Sequence, residues 1–237
     1  MMGEDFNEEQ YDDSYAMFCQ QAVNNEPKYL NVKEGVFKLA KAELLGLIAG
    51  GVSILTLLLS YIISEATIGL GLSMGLVVFV MAIVAMVMTI QGLKTAALDV
   101  SEFQNLLTIY IISMVISLIG GFAEDVEDIL DIVSSILKIV YTIKLLNLIA
   151  DILKRVERAD TAEKVLGFRK IFITYYVFTI VLSLAMGIGL VIATANGSGV
   201  EMGLMNAYIV LLVVKLIFAV VVAIRSYTTL NDAAEAM

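Results

Sequence analysis

The stretch IGLGLSMGLVVFVMAIVAMVMTI, from Ile68 to Ile90, decides the fold because it is long, apolar and without a charged residue. At 1.5 Å per residue, a helix of about 20 residues crosses a hydrocarbon core of roughly 30 Å. Five further stretches share this character: Leu44–Ile63, Phe103–Phe122, Ile129–Ala150, Ile171–Ala195 and Leu204–Ile224. The sequence therefore predicts an all-α polytopic membrane protein, a bundle of six transmembrane helices arranged as three helical hairpins.

The composition supports this class and excludes several others. Hydrophobic residues make up 59% of the 237 residues, which is more than the surface of a soluble domain tolerates. The formal net charge is -9, without the basic footprint of a nucleic-acid-binding protein. The chain has one cysteine and no histidine, so it lacks a disulfide, a thiolate cluster and the commonest metal ligand. We expect no metal, no cofactor and no nucleic-acid partner.

The distribution of basic residues predicts the orientation in the bilayer. Of the 15 Lys and Arg, three lie within the apolar stretches, and the other 12 all fall in alternate gaps or at the two ends. Short loops rich in Lys and Arg stay cytoplasmic, so both termini are predicted to lie inside. Residues 1–27 then form an acidic cytoplasmic tail, residues 44–225 the six-span domain, and residues 226–237 a short cytoplasmic tail.

Residues 28–43 are predicted to form an amphipathic helix on the inner leaflet, ahead of the first span. On a helix, Lys33, Lys38 and Lys41 lie on one side and Val32, Val36, Leu39 and Ala40 lie on the other. The lysines would then contact anionic lipid headgroups. In the alternative interpretation, the first membrane helix simply begins early.

Charged residues within the apolar stretches are candidates for function. A charge at the centre of a bilayer costs about 2.5–3.5 kcal/mol or more, so it needs a partner or water. Lys138 and Lys215 fall near the predicted midplane of the fourth and sixth spans, whereas Lys144 lies nearer the inner end and can extend to it.

Lys138 belongs to a polar stripe. Asp128, Asp131, Ser135, Lys138 and Thr142 are spaced 3, 4, 3 and 4 residues apart, which puts them on one face of the fourth helix. We interpret this face as a buried ion pair that fixes helix register, a solvated pathway, or a contact with another subunit. Asp131 is the leading carboxylate partner for the lysines.

Small residues predict close contacts between helices. Gly46 and Gly50 form one G-x-x-x-G pattern, and Gly71 and Gly75 form another. Such pairs allow two membrane helices to approach closely, so we assign these glycines to helix packing.

Two functions follow from these features. The first is transport-like: a small-solute or ion pathway lined by Lys138, Lys215 and Asp131. The second is a non-catalytic membrane subunit or scaffold, whose lysines pair within the fold or with a partner chain. The chain contains neither G-x-x-x-x-G-K-[ST] nor H-E-x-x-H, and we expect no enzyme activity. The expected partners are the lipid bilayer and a partner membrane subunit or a second copy, in a prokaryotic plasma membrane.

Overall fold

The computed structural model describes residues 29–62, 67–120, 127–195 and 202–237, which form six α-helices. They are α1 Leu30–Ile62, α2 Thr67–Ala96, α3 Glu102–Gly120, α4 Glu127–Arg155, α5 Ala159–Ala195 and α6 Met202–Ala236. Each helix contains a segment that is long and apolar enough to cross a membrane. This confirms the prediction of an all-α chain with six helices able to span a bilayer.

The helices form a closed ring in chain order. Each helix contacts the next one along the chain, and α6 contacts α1. The most extensive contact joins α1 to α2, and α3–α4 and α5–α6 also pack as pairs. Three helical hairpins therefore stand side by side, and the ring encloses the space in which the polar residues described below meet.

The buried core lies at one end of this ring, called here the packed end. The packed end carries the two short linkers, residues 97–101 and 156–158, together with the start of α1 and the end of α6. All six helices contribute to the core, whose largest fully buried side chains include Phe103, Leu93, Leu146, Ile149, Ile152, Leu153, Val32, Val36 and Val165. Apolar side chains thus close the ring at the packed end.

Two glycines set the spacing of α1 and α2 at the packed end. A Cβ on Gly35 would lie 2.5 Å from the carbonyl oxygen of Gly92 and 2.8 Å from the Cβ of Ala96. A Cβ on Gly92 would lie 2.7 Å from the carbonyl oxygen of Gly35. The two backbones therefore touch, and only glycine fits at both positions.

Asp99 ties the linker after α2 to the start of α1. Its carboxylate accepts hydrogen bonds from the backbone N–H groups of Asn31 (2.8 Å) and Val32 (3.1 Å), and from the Asn31 side-chain amide (2.7 Å). The first N–H groups of a helix have no partner within it, and a negative charge there also interacts favourably with the helix dipole. Asp99, in the linker after α2, therefore caps the start of α1.

The linker between α4 and α5 closes with a strained residue. The N–H of Arg158 donates to the carbonyl of Leu153 at 2.8 Å, and the N–H of Glu157 donates to that of Lys154 at 3.2 Å. These two bonds define a Schellman ending, whose residue in the left-handed region is commonly glycine. Here that residue is Glu157, with a φ of 63°.

Residues 30–43 do not form a separate helix but are the first turns of α1. The apolar face predicted for the inner leaflet is covered by protein, since Val32, Val36, Leu39 and Ala40 are at most 3% exposed. This packing corresponds to the alternative interpretation, in which the first membrane helix begins early. The amphipathic pattern arises because one side of this segment faces α2 and the rest of the core.

Residues 226–237, expected as a short tail, are helical up to Ala236. Leu230, Ala233 and Ala234 are at most 3% exposed and belong to the core of the packed end. The end of α6 therefore closes the bundle together with the start of α1.

Candidate functional site

A cavity of about 530 Å³ lies inside the ring, one helical turn from the packed end. Every helix contributes to its wall, through Glu43, Met86, Tyr110, Ser113, Met114, Ser117, Lys138, Tyr141, Thr142, Phe172, Tyr175, Tyr176, Ala219, Val222, Ala223 and Ser226. Its volume falls in the range of small-molecule sites, which is about 300–1,000 Å³. We call it the tyrosine cavity.

The position of the tyrosine cavity follows from residue spacing along each helix. Glu43 lies one turn beyond the buried Leu39 of α1, and Tyr110 lies one turn beyond the buried Leu106 of α3. Tyr141 lies one turn before the buried Leu145 of α4. The helices that pack tightly through small and aliphatic residues thus present bulky polar residues at the next level, and a space is left between them.

Glu43 is the carboxylate of the cavity. It lies within the first candidate span, and Ser226 on α6 lines the same cavity. The Glu43 side chain is exposed and lines the cavity. Sequence reasoning missed this residue because the first span was started at Leu44. A helical periodicity continued backwards from that residue would have included it.

Aromatic rings from three helices form one wall of the cavity. The rings of Tyr110 and Tyr141 lie 5.5 Å apart between centroids, and those of Tyr175 and Tyr176 lie 5.4 Å apart. The ring of Phe172 contacts that of Tyr176 at 4.6 Å. These distances are typical of tilted and edge-on aromatic pairs, which hold each other in place.

The tyrosines were also missed from the sequence, although a weak signal exists. Tyr110 lies seven residues after Phe103, and Tyr175 lies seven residues after Phe168. Both phenylalanines stand at or just before the start of an odd-numbered predicted span and are at most 3% exposed. Corresponding positions in two hairpins therefore carry the same pair of aromatic residues.

Lys138 is the cation of the cavity, and the sequence did single it out. Within the described residues, the ion pairs join Lys38 to Glu34 at 2.7 Å and Lys154 to Asp151 at 3.9 Å. Neither Lys138 nor Glu43 takes part in an ion pair there. The cavity therefore holds an ammonium and a carboxylate that face the same space without neutralising each other by contact.

The predicted polar stripe of α4 is divided by the structure. Lys138 and Thr142 line the cavity, whereas Ser135 is exposed on the outside of the bundle. The side chains of Asp128 and Asp131 lie outside the described residues, and so does that of Lys215. The predicted pairing of Asp131 with Lys138 or Lys215 therefore stays a prediction.

Ser134, next to the predicted stripe, is the buried polar residue of this part of α4. Its hydroxyl bonds to that of Ser117, 2.5 Å away, and its carbonyl accepts a hydrogen bond from Ser113 at 3.3 Å. Ser134 is 2% exposed, so these bonds satisfy it inside the contact between α3 and α4. They also hold Ser113 and Ser117 at the cavity wall.

The glycines predicted for helix packing do not coincide with the close contacts of the described residues. A Cβ on Gly46, Gly50 or Gly75 would meet no described atom within 4 Å. The side-chain position of Gly71 lies outside the described residues. Within the described part of the chain, the backbone contact between α1 and α2 is made instead by the glycine pair at the packed end.

The letters of Gly71–Gly75, GLSMG, match the serine-hydrolase pattern G-x-S-x-G. That pattern has chemical meaning only on a sharp turn from a strand to a helix, with a histidine as its base. Here the segment is continuous helix within α2, and the chain contains no histidine. The match is therefore a coincidence of small residues in a membrane helix.

The tyrosine cavity combines one carboxylate, one ammonium, aromatic faces and hydroxyls, and both charged residues lie in helix segments long and apolar enough to cross a membrane. Charges within a membrane need water, a counter-charge or a bound solute. A search of protein-family models, of curated proteins and of solved structures finds no match to this chain.

Proposed function

We propose that this integral membrane protein provides a pathway for a small solute or ion, with the tyrosine cavity as its binding chamber. One observation carries the proposal: Glu43 and Lys138 face the same cavity without an ion pair between them. An unpaired charge at this depth costs about 2.5–3.5 kcal/mol or more, unless water or a ligand reaches it. A site that receives charged or polar solutes gives both residues a reason to be there.

The arrangement of the ends fits one state of an alternating-access cycle. The apolar core closes the cavity towards the packed end, and in this proposal that end opens when the hairpins tilt against each other. The mechanism has no catalytic step and no nucleotide site. Movement against a gradient would need a coupled ion or a separate ATPase.

We also propose that the packed end faces the cytoplasm. The helix segments nearest to it, together with the linker 156–158, hold the described basic residues that lie outside the predicted spans, in agreement with the positive-inside rule. Cysteines introduced at Ser64 and Ser198 should react with an impermeant thiol reagent in intact cells, and one at Ser101 should not, all in a Cys19→Ala background. Labelling at Ser101 would contradict this orientation. The prokaryotic plasma membrane stays a prediction.

The proposed pathway is tested by the accessibility of one helix face. Thr142 lines the cavity, whereas Ser135 faces away from it on the same helix. In a Cys19→Ala background, Thr142→Cys should react with a small water-soluble methanethiosulfonate in membranes, and Ser135→Cys should react at least tenfold more slowly because it faces lipid. An unreactive Thr142→Cys in a folded protein would contradict the pathway.

The alternative is a non-catalytic membrane subunit or scaffold. The specific observation in its favour is the apolar core, because the described residues offer no polar route through the packed end. In that case Lys138 would pair with an acid of another chain. Purification in native lipids should then recover a second polypeptide in fixed stoichiometry, lost on Lys138→Met, while Thr142→Cys stays unreactive.

A further inference from the structure

We propose that the tyrosine cavity binds a zwitterionic solute, with its ammonium group beside Glu43 and the tyrosines and its anionic group beside Lys138. This inference rests on the proposed function and names the substrate class of the same site. Four features carry it: the balance of charge in the cavity, the surroundings of Glu43, the surroundings of Lys138, and the apolar part of the cavity lining.

The balance of charge favours a ligand that carries both signs. The described wall contributes one carboxylate, Glu43, and one ammonium, Lys138. A simple cation that neutralises Glu43 stays in the field of a like charge, and a simple anion at Lys138 meets the same difficulty with Glu43. In a site of low dielectric such unbalanced charges are costly. A zwitterion satisfies both residues and leaves the cavity neutral.

The surroundings of Glu43 suit an ammonium group. Tyr110, Tyr141 and Tyr176 line the same cavity as Glu43, so three aromatic rings share its wall. Aromatic faces attract cations, and ring cages of this kind recognise substituted ammonium groups. Ser226 adds a hydroxyl group to this cavity from α6. The Glu43 end of the cavity therefore combines a counter-charge with an aromatic lining.

The surroundings of Lys138 suit the anionic end. Lys138 lies three residues before Tyr141 on α4, which is about 4.5 Å along the helix axis and away from the packed end. Ser117 and Thr142 supply hydroxyl groups to the same wall. The ligand is thus oriented along the ring axis, with its ammonium group towards the packed end.

Part of the cavity lining is apolar and adaptable. Met86, Met114 and Val222 contribute to it from α2, α3 and α6. Thioether side chains adjust to irregular shapes, so this part of the wall suits methyl and methylene groups rather than further polar atoms. A compact zwitterion with an aliphatic body matches the whole lining.

Binding is measured on the full chain in lipid nanodiscs. The probes are trimethylammonium carboxylates with one to four methylene groups between the two charges, the carbon isosteres in which carbon replaces the nitrogen, and choline as a simple cation. At least one zwitterion should bind at least tenfold more tightly than choline and than its own isostere. Choline binding as tightly as every zwitterion, or no zwitterion binding, would overturn the proposal.

Substitutions of the two charged residues should both weaken zwitterion binding, and choline binding should tell Lys138→Gln apart. Glu43→Gln should lower the affinity for the zwitterion at least tenfold. Lys138→Gln should also lower the affinity for the zwitterion. It should raise the affinity for choline, because the positive charge of Lys138 no longer repels this cation. Lys144→Gln is the matched control, since Lys144 is exposed on the same helix and does not line the cavity. An unchanged zwitterion affinity in Lys138→Gln would contradict the assignment of the anionic end.

The aromatic contribution has its own test. Tyr110→Phe keeps the ring and should keep the affinity for the zwitterion within about threefold, whereas Tyr110→Leu should lower it at least tenfold. Equal affinities in the two variants would overturn the aromatic part of the proposal. Reactive Thr142→Cys without zwitterion binding would reject the substrate class alone, whereas an unreactive Thr142→Cys would reject the pathway itself.

Discussion

The packed end and the tyrosine cavity are adjacent levels of the same six helices, yet they are built differently. At the packed end, glycines, alanines and aliphatic residues bring the backbones together, and Gly35 and Gly92 touch. One turn further, Glu43, Lys138 and the tyrosines keep the helices around an open space. The contrast separates a part of the chain that holds the ring together from a part whose residues are not explained by packing.

The largest difference between the two levels should appear on truncation of a large side chain. Phe103 is fully buried at the packed end, and Phe103→Ala should lower the free energy of unfolding by about 3 kcal/mol, the lower end of the range for buried phenylalanine. The lower end applies because lipid is as apolar as the core, so lost packing dominates. Thermal unfolding in a mild detergent measures the change.

Met114 at the cavity wall provides the comparison for Phe103. Met114→Ala should lower the free energy of unfolding by at most roughly half the loss expected for Phe103→Ala. The Met114 side chain lines the cavity and already lacks neighbours on that side. Equal losses from the two truncations would mean that the cavity level is packed as tightly as the packed end.

Adding a single methyl group to a glycine of α1 should change stability differently at the two levels. Gly35→Ala places a Cβ against the backbone of α2 and should destabilise the protein by about 1–3 kcal/mol. Gly46→Ala on the same helix meets no described atom and should be neutral or slightly stabilising, since alanine favours helix over glycine. Chemical denaturation of both variants is the measurement. A neutral Gly35→Ala would contradict the close approach.

The Asp99 cap is expected to have a smaller effect. Asp99→Ala removes the three hydrogen bonds at the start of α1 and should cost about 1–2 kcal/mol. Asp151, in the last turns of α4, is an exposed aspartate whose described ion pair is with Lys154 at 3.9 Å. Asp151→Ala should therefore change stability by less than about 0.5 kcal/mol. Similar losses in both variants would show that the cap does not secure α1.

The smallest expected effect is a gain in stability at the packed end. Glu157 holds a left-handed conformation with a φ of 63°, which costs a residue with a side chain about 1 kcal/mol. Glu157→Gly should therefore raise the unfolding free energy by up to about 1 kcal/mol. The melting temperature of the variant measures this, with Glu163→Gly, in the interior of α5, expected to destabilise by a similar amount.

Part of the candidate site could be predicted from the sequence, and part could not. Lys138 stood out because a charge in an apolar stretch is costly wherever the stretch lies. Glu43 did not, because it stands at the edge of such a stretch, where hydropathy alone treats a charge as a boundary. Tyrosines are amphipathic and common near membrane surfaces. Their presence in a span therefore does not indicate a functional site until their neighbours are known.

The sequence by itself determined that the chain is helical and has six segments able to cross a membrane, because length and hydropathy are local properties of each segment. The basic residues of alternate gaps also predict its orientation from the chain alone. Only the tertiary structure decided which face of each helix is turned inward, since that depends on contacts between residues far apart in the chain. It brought Glu43, Tyr110, Tyr141 and Lys138 to one cavity, and it placed Ser135 outside, although helical spacing put Ser135 on the same face as Lys138.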